Sequence, residues 1–294
     1  MNRQCPGCPG NGRQIASNGS YFRKNDSRRI RRFVCRACGL YFSSATFSPN
    51  YRQKKRRINH AIAPLMCSLV SQRRMALSLK VSRTTIARKL KFLAGQIRLR
   101  QRQQRPPDHL GTAIQFDDLE TFEHTKCKPL TVTVVIDADR QSILGCCVAP
   151  IAAKGRLAAV SLQKYGPRTD TSRIQRDALL AALKSQIAPT AVFRTDGHGH
   201  YSTLIRRHYP QATHHQHIRR DHSISGQGVL KKKVFDPLFG INQVHAMLRA
   251  NINRLIRKTW CTTKRMDALA DHLVLYMDYH NRVLRSQYRY MVNV

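Results

Sequence analysis

The chain has 294 residues, of which 52 are Lys or Arg and only 16 are Asp or Glu, giving a formal net charge of +36. A hydrophobic fraction of 41% supports a real core and excludes wholesale disorder. So large a surplus of one charge would make a compact state repel itself without a polyanion, so nucleic acid is the partner to expect.

Membrane insertion is not expected, because no apolar run approaches the roughly 20 residues of a spanning helix. The opening residues Met1-Asn2-Arg3-Gln4 lead into Cys5 without the apolar stretch of a signal peptide. The expected setting is therefore the cytoplasm, on the nucleoid in a bacterial host. There the nine cysteines are thiols or metal ligands, not disulfides.

The first expected domain is residues 1–48. Cys5-Pro-Gly-Cys8 and Cys35-Arg-Ala-Cys38 are two Cys-x-x-Cys knuckles, and four thiolates so spaced can surround one structural Zn²⁺ tetrahedrally. Between them Tyr21–Lys24 and Arg32–Val34 read as strands around a polar turn at 25–27, the layout of a zinc ribbon. A unit this short cannot build a sufficient core alone, so the metal would supply much of its folding energy.

Residues 51–97 form the second expected domain, a helix-turn-helix for DNA. After a basic run, Ile58, Ile62, Leu65, Met66 and Leu69 recur at helical spacing. Ala76 falls where two helices would cross, a turn lies near 79–81, and Ser82 can cap the second helix. Ile86 and Leu90 pack inward at i, i+4. Arg73, Arg74, Ser82, Arg83, Thr84, Thr85, Arg88 and Lys89 are the candidates to face DNA. A basic linker is expected over 98–110, ending near Pro106-Pro107.

From residue 111 the pattern turns to strands: Ala113–Asp117, Leu130–Asp137 and Ser142–Ala149, with a polar turn making the last two antiparallel neighbours. A helix over Ser172–Ile187 follows, then a short strand ending at Asp196, a helix over Ser202–His208 and a polar strand over Ala212–His217. Two more helices are expected, over Phe239–Thr259 and Arg265–Asn281. This order is that of an α/β domain over 111–294, a ribonuclease H-like mixed sheet with helices. Residues 154–171 and 219–233 read as loops.

Asp117 and Asp196 each end an apolar strand. On neighbouring parallel strands the two carboxylates would converge, and their repulsion would be relieved by Mg²⁺ or Mn²⁺. Metals so held can activate a water or a 3′-hydroxyl and stabilise the leaving oxygen of a phosphodiester. Asp118 must point the other way from Asp117; it and Glu120 read as partners for nearby cations, and Asp137 and Asp139 as turn residues. A cluster of histidines (His198, His200, His214, His215, His217, His222) surrounds the second acid, either solvated beside phosphates or, at His214 and His217, part of a second zinc site.

Zinc ribbon, helix-turn-helix, Phe116-Asp-Asp-Leu-Glu-Thr-Phe122, Arg194-Thr-Asp-Gly-His-Gly-His-Tyr201 and the run Leu248–Trp260 together resemble the insertion-sequence transposases with a DDE-type, ribonuclease H-like domain. The resemblance covers nearly the whole chain. It implies that Asp117 and Asp196 are the first two catalytic acids. It also implies double-stranded DNA as partner, both element ends and target, with strand cleavage, strand transfer, and a homodimer or larger synaptic complex. The third acid departs from the pattern, since no Glu follows Glu123. In its place stand His245, Asn242 on the same expected helix, or the nearby Asp236. The alternative is a catalytically impaired, transposase-derived DNA-binding protein or regulator.

Overall fold

The structure, a computed structural model, describes residues 4–8, 14–24, 26–104, 109–218, 236–256 and 261–286. The chain divides between Ala61 and Ile62 into two units.

In the first unit, strands β1 (Ile15–Arg23), β2 (Arg28–Cys35) and β3 (Tyr41–Ser43) form one antiparallel sheet in the order β1-β2-β3. Strict two-residue alternation is broken along Arg28-Arg-Ile-Arg-Arg-Phe33, where only Ile30 and Phe33 are buried. The cause lies opposite: β1 carries an irregularity between Ser17 and Ser20, with Gly19 at φ +70°, and such a bulge adds local twist. Phe33 and Phe42 pack 5.6 Å apart over the cysteines.

Helix α1 (Asn59–Met66) leads into the second unit. There α2 (Gln72–Ser78) and α3 (Arg83–Gln103) form a helical hairpin. The Ser71 hydroxyl accepts from the Arg74 N–H and the Ser82 hydroxyl from the Thr85 N–H, so each helix begins on a serine cap. The turn between them needs Lys80 at φ +50°, and the Val81 N–H closes it on the Ala76 carbonyl. Met75, Ile86 and Leu90 fill the crossing. Residues 98–103, expected as linker, are instead the last turns of α3. Their helicity has a tertiary cause, because Arg98 pairs with Asp271 at 2.6 Å and Arg100 with Asp278, both on α8 (Met266–Tyr279). Pro106 and Pro107 lie outside the described residues.

The main sheet has five strands in the order β6-β5-β4-β7-β8: β4 (Gly111–Phe122), β5 (Pro129–Asp137), β6 (Ser142–Pro150), β7 (Ile187–Asp196) and β8 (Thr213–His217). β4, β5 and β6 are antiparallel neighbours, whereas β4–β7 and β7–β8 are parallel. Three antiparallel strands followed by two parallel ones, with helices on both faces, are consistent with a ribonuclease H-like α/β fold. β5 is buried at nearly every position, as a strand covered on both sides must be.

One face of the sheet packs Ile114, Phe116, Val135 and Phe193 against α5 (Ser172–Ala182) and α6 (Tyr201–His208). The other packs Leu119, Val132, Val134 and Ile136 against α7 (Phe239–Asn251) and α8. The segment 154–171, expected as a loop, contains helix α4 (Leu157–Tyr165). Ile174, in the first turn of α5, is exposed. α7 stops at Asn251 and gives way to a 3₁₀ turn at Asn253–Leu255, well short of the expected Thr259. Residues 219–233 and 257–260 fall outside the described residues. Among the described residues, no helix is long and apolar enough to cross a membrane.

Candidate functional site

The four knuckle cysteines come together in the first unit. Cys8 Sγ lies 3.3 Å from Cys35 Sγ and 3.5 Å from Cys38 Sγ, and Cys5 Sγ lies 3.6 Å from Cys38 Sγ. A tetrahedral zinc with bonds of about 2.3 Å separates its sulfurs by about 3.8 Å, so the quartet fits one structural Zn²⁺. The spacing is too long for disulfides. Gly39, at φ +67°, lets the second knuckle close, its N–H donating to the Cys35 carbonyl at 2.8 Å. The backbone N–H groups of Cys38 and Ala37 hold the Cys35 thiol down at about 7, near the thiolate state a metal needs.

The second site lies on the α7 face of the main sheet. β4 and β7 are parallel with Gln115 beside Arg194. The paired register ends there; continued two residues further on each strand it leads to Asp117 and Asp196, and Asp117 feels the Asp196 charge. Register partners on neighbouring strands share a face, so the carboxylates point the same way. Burial raises the Asp117 carboxyl to about 6, with Asp196 adding repulsion and the Asp118 N–H opposing it. That N–H donates to Asp117 Oδ1 at 2.7 Å, which leaves Oδ2 directed at α7. Asp196 Oδ1 accepts the His198 N–H at 3.0 Å, a turn in which a Cβ at Gly197 would press on the Ile218 side chain at 2.9 Å.

His245 reaches the same place from α7. Its Nδ1 lies 3.7 Å from Asp117 Oδ2, and the residue is only 7% exposed, with Nε2 buried and without a hydrogen-bond partner among the described residues. Burial, and then Arg249, push its pKa down to about 4, so the ring is neutral at neutral pH.

A residue that sequence reasoning missed sets this arrangement. The Gln115 side chain accepts the Ile241 N–H at 2.9 Å and donates to the Pro237 carbonyl at 3.0 Å, fastening the start of α7 to β4. Two residues along a strand rise about 6.6 Å and four along a helix about 6 Å. Anchoring Ile241 at Gln115 therefore brings His245 over Asp117. Gly240 permits the approach, since a Cβ there would lie 3.0 Å from the Gln115 oxygen. The signal in the sequence was a polar glutamine two places before the acid, inside an apolar strand.

Asn242 and Asp236 are engaged elsewhere. Asn242 is exposed and donates to Asp236 Oδ2 at 2.7 Å, and Asp236 Oδ1 accepts the Leu238 N–H. Asp236 thus spends both oxygens at the start of α7. Asp118 faces the opposite side of the sheet, where it pairs with the buried Arg176 and accepts from Thr133. Among the described residues, the cysteine quartet is the only group of three or more His, Cys, Asp or Glu whose ligand atoms all lie within 4.8 Å of one another. Asp117, Asp196 and His245 are neighbours that are not drawn together to that span.

On the helical hairpin, Arg73, Arg74, Ser82, Arg83, Thr84 and Arg88 are exposed, and Thr85 is half-buried with its hydroxyl 2.9 Å from that of Ser82. Lys89, expected to face outward, is 4% exposed. It stands three residues after Ile86 and one before Leu90, which puts it on the inward stripe of α3. An open cleft lined by Arg73, Arg83, Arg254 and Lys264 lies beside the starts of α2 and α3. His222 falls outside the described residues.

No protein-family model matches this chain, and no curated protein matches it.

Proposed function

We propose that the protein is a DNA transposase of the insertion-sequence type. In this reading it binds element ends through α2–α3 and cuts and joins phosphodiesters with Asp117, Asp196 and His245 around Mg²⁺ or Mn²⁺. The observation that carries the reading is the parallel pairing of β4 and β7, which ends two residues short of Asp117 and Asp196 and leaves these two carboxylates close enough to repel. What supports a cation there is that two like charges share a half-buried place and that the neutral His245 turns Nδ1 toward Asp117 Oδ2 at 3.7 Å. When bound, a divalent ion there supplies Lewis acidity and lowers the pKa of an attacking water or 3′-hydroxyl.

The chain's own groups prepare that chemistry. The Asp118 N–H fixes one oxygen of Asp117, and the His198 N–H fixes one of Asp196. Gln115 holds α7 in place, and the neutral His245 offers a lone pair without adding positive charge. Exposed Arg73, Arg74, Arg83 and Arg88 offer charge to phosphates, while Ser82 and Thr84 offer hydroxyls.

The test is a labelled duplex taken from the DNA flanking the reading frame, incubated with the protein and Mg²⁺ or Mn²⁺. Cleavage that disappears in Asp117→Ala and Asp196→Ala supports the proposal. Binding without cleavage in either metal supports a second reading, a transposase-derived DNA-binding protein that has lost catalysis. Two observations favour that reading: no glutamate follows Glu123, and the three candidate ligands are not gathered within 4.8 Å.

A further inference from the structure

We propose that the sheet of the first unit carries a surface for single-stranded DNA, on which the Phe22 ring stacks against an unpaired base while Arg29 and Arg31 hold the adjoining phosphates. The inference goes beyond the proposed function. It concerns a unit to which that reading gives no DNA contact, and it needs no cleavage.

Charge picks out the unit. Residues 1–61 contain 14 Lys or Arg against a single acid, Asp26. That acid is already engaged, because Arg23 Nε donates to Asp26 Oδ1 at 2.7 Å. The other cations of the unit have no carboxylate within it to pair with, so their counter-charge must come from a polyanion.

Exposed aromatic rings pick out the same unit. Among the described residues seven Phe or Tyr side chains are exposed, and five of them (Tyr21, Phe22, Tyr41, Phe47 and Tyr51) fall in the first 61 residues. A single exposed apolar side chain needs no explanation. Five rings crowded among arginines, in about a fifth of the chain, are the combination that single-strand binders use: charge for the backbone and rings for the bases.

The register of β1 and β2 gathers one compact patch. Phe22 is paired with Arg29 and Ser20 with Arg31, so these four side chains share a face of the sheet. Directly opposed side chains start about 5 Å apart, and Arg31 follows Arg29 by about 7 Å along its strand. All four residues are exposed, Phe22 by 60%, whereas Phe33 and Phe42 are spent on the core over the cysteines. The Phe22 ring has no donor or acceptor for a phosphate. What it offers is a flat apolar face. Inside a duplex both faces of every base are covered by neighbouring bases, so the ring suits a base that is free of the stack.

The experiment uses the full chain with its cysteines loaded with Zn²⁺. Binding of a labelled oligothymidylate is followed by fluorescence anisotropy, with a blunt duplex of the same length for comparison. The expected result is that Phe22→Ala and Phe22→Leu each weaken oligothymidylate binding by about fivefold or more, with the salt slope and the duplex affinity unchanged. Phe22→Tyr, which keeps a ring, retains binding. Arg29→Ala and Arg31→Ala each lower the single-strand salt slope by about 0.7, the share of one phosphate. Tyr165→Ala, which removes an exposed ring of the second unit, changes nothing. Wild-type affinity in Phe22→Ala or Phe22→Leu, or an equal loss on the duplex, would overturn the proposal. One zinc per chain and an unchanged melting temperature in each variant separate a lost contact from a lost fold. Phe22-dependent single-strand binding by a protein that cuts no DNA would leave this inference standing and remove the catalytic reading. Cleavage by a protein whose Phe22→Ala variant binds oligothymidylate like the wild type would do the reverse.

Discussion

His245 Nδ1 lies 3.7 Å from Asp117 Oδ2, yet the contact is not an ion pair at neutral pH. Burial has moved the two groups toward their neutral forms: the imidazole down to about 4, the carboxyl up to about 6. A neutral donor thus faces an acid that ionises only just below neutrality.

This pairing predicts a stability profile with two opposed parts. Asp117 holds its proton in the folded state up to about pH 6 but releases it near 3.8 when unfolded. Its contribution is therefore lost as pH rises from about 4 to about 6. Asp117→Asn should stabilise the metal-free protein at pH 7 by roughly 1–2 kcal/mol, with the gap closing at pH 4. His245 has the opposite sign, its stability contribution being lost as pH falls from about 6.5 to about 4. His245→Gln should flatten that acid limb. Urea unfolding at pH 4, 5.5 and 7 measures both.

The same ionisation governs metal uptake. A protonated Asp117 is a poor ligand, so divalent-ion affinity and any DNA cleavage should rise steeply from pH 5 to pH 7 and level off above. An affinity flat across that range would remove Asp117 from the ligand set.

Gln115→Leu tests the fastening of α7. The substitution leaves the buried Ile241 N–H and Pro237 carbonyl without their partner, at a cost of about 1–3 kcal/mol. It should weaken Mn²⁺ binding without touching a ligand, and Gln115→Glu, which keeps the acceptor toward Ile241, should recover part of the loss. Unchanged metal affinity in Gln115→Leu would mean that α7 is held by its apolar face alone.

Zinc content is the fourth test. Metal analysis should give one zinc per chain before any divalent ion is added, falling to none in Cys35→Ser. Amide exchange over β2 and β3 should then lose its protection, because a unit this small has Phe33, Phe42 and little else for a core.

Exposed and buried cations of the hairpin should behave differently. Arg83→Ala and Arg88→Ala should each weaken duplex binding and lower the salt slope by about one. Lys89→Met should leave the slope unchanged, since Lys89 is buried, and should alter thermal stability instead.

Much of this architecture was legible in the residues because apolar periodicity wrote it. The β-branched run of β5, the two cysteine knuckles and the cap at Ser82 each carry a local signal that tertiary structure did not overrule. What was not legible depends on partners far away in the chain. The Arg-Leu-Arg-Gln-Arg tail of α3 looks like linker until Asp271 and Asp278 are known to face it. Lys89 looks like a surface cation until α3 is packed. Gln115 stands out as a polar residue in an apolar strand, but its role depends on a helix start that no short window contains.

Helix α3 runs unbroken for 21 residues from the hairpin's serine cap to the arginines that grip α8, a span of about 31 Å. Under the proposed function, one stiff rod joins the DNA-reading end to the half of the molecule that holds the carboxylates. It would act as a ruler, with no hinge to absorb error between the recognised sequence and the attacked bond. A single residue inserted near its middle would swing one end against the other by about 100° and should shift or abolish the cut position while leaving each end folded.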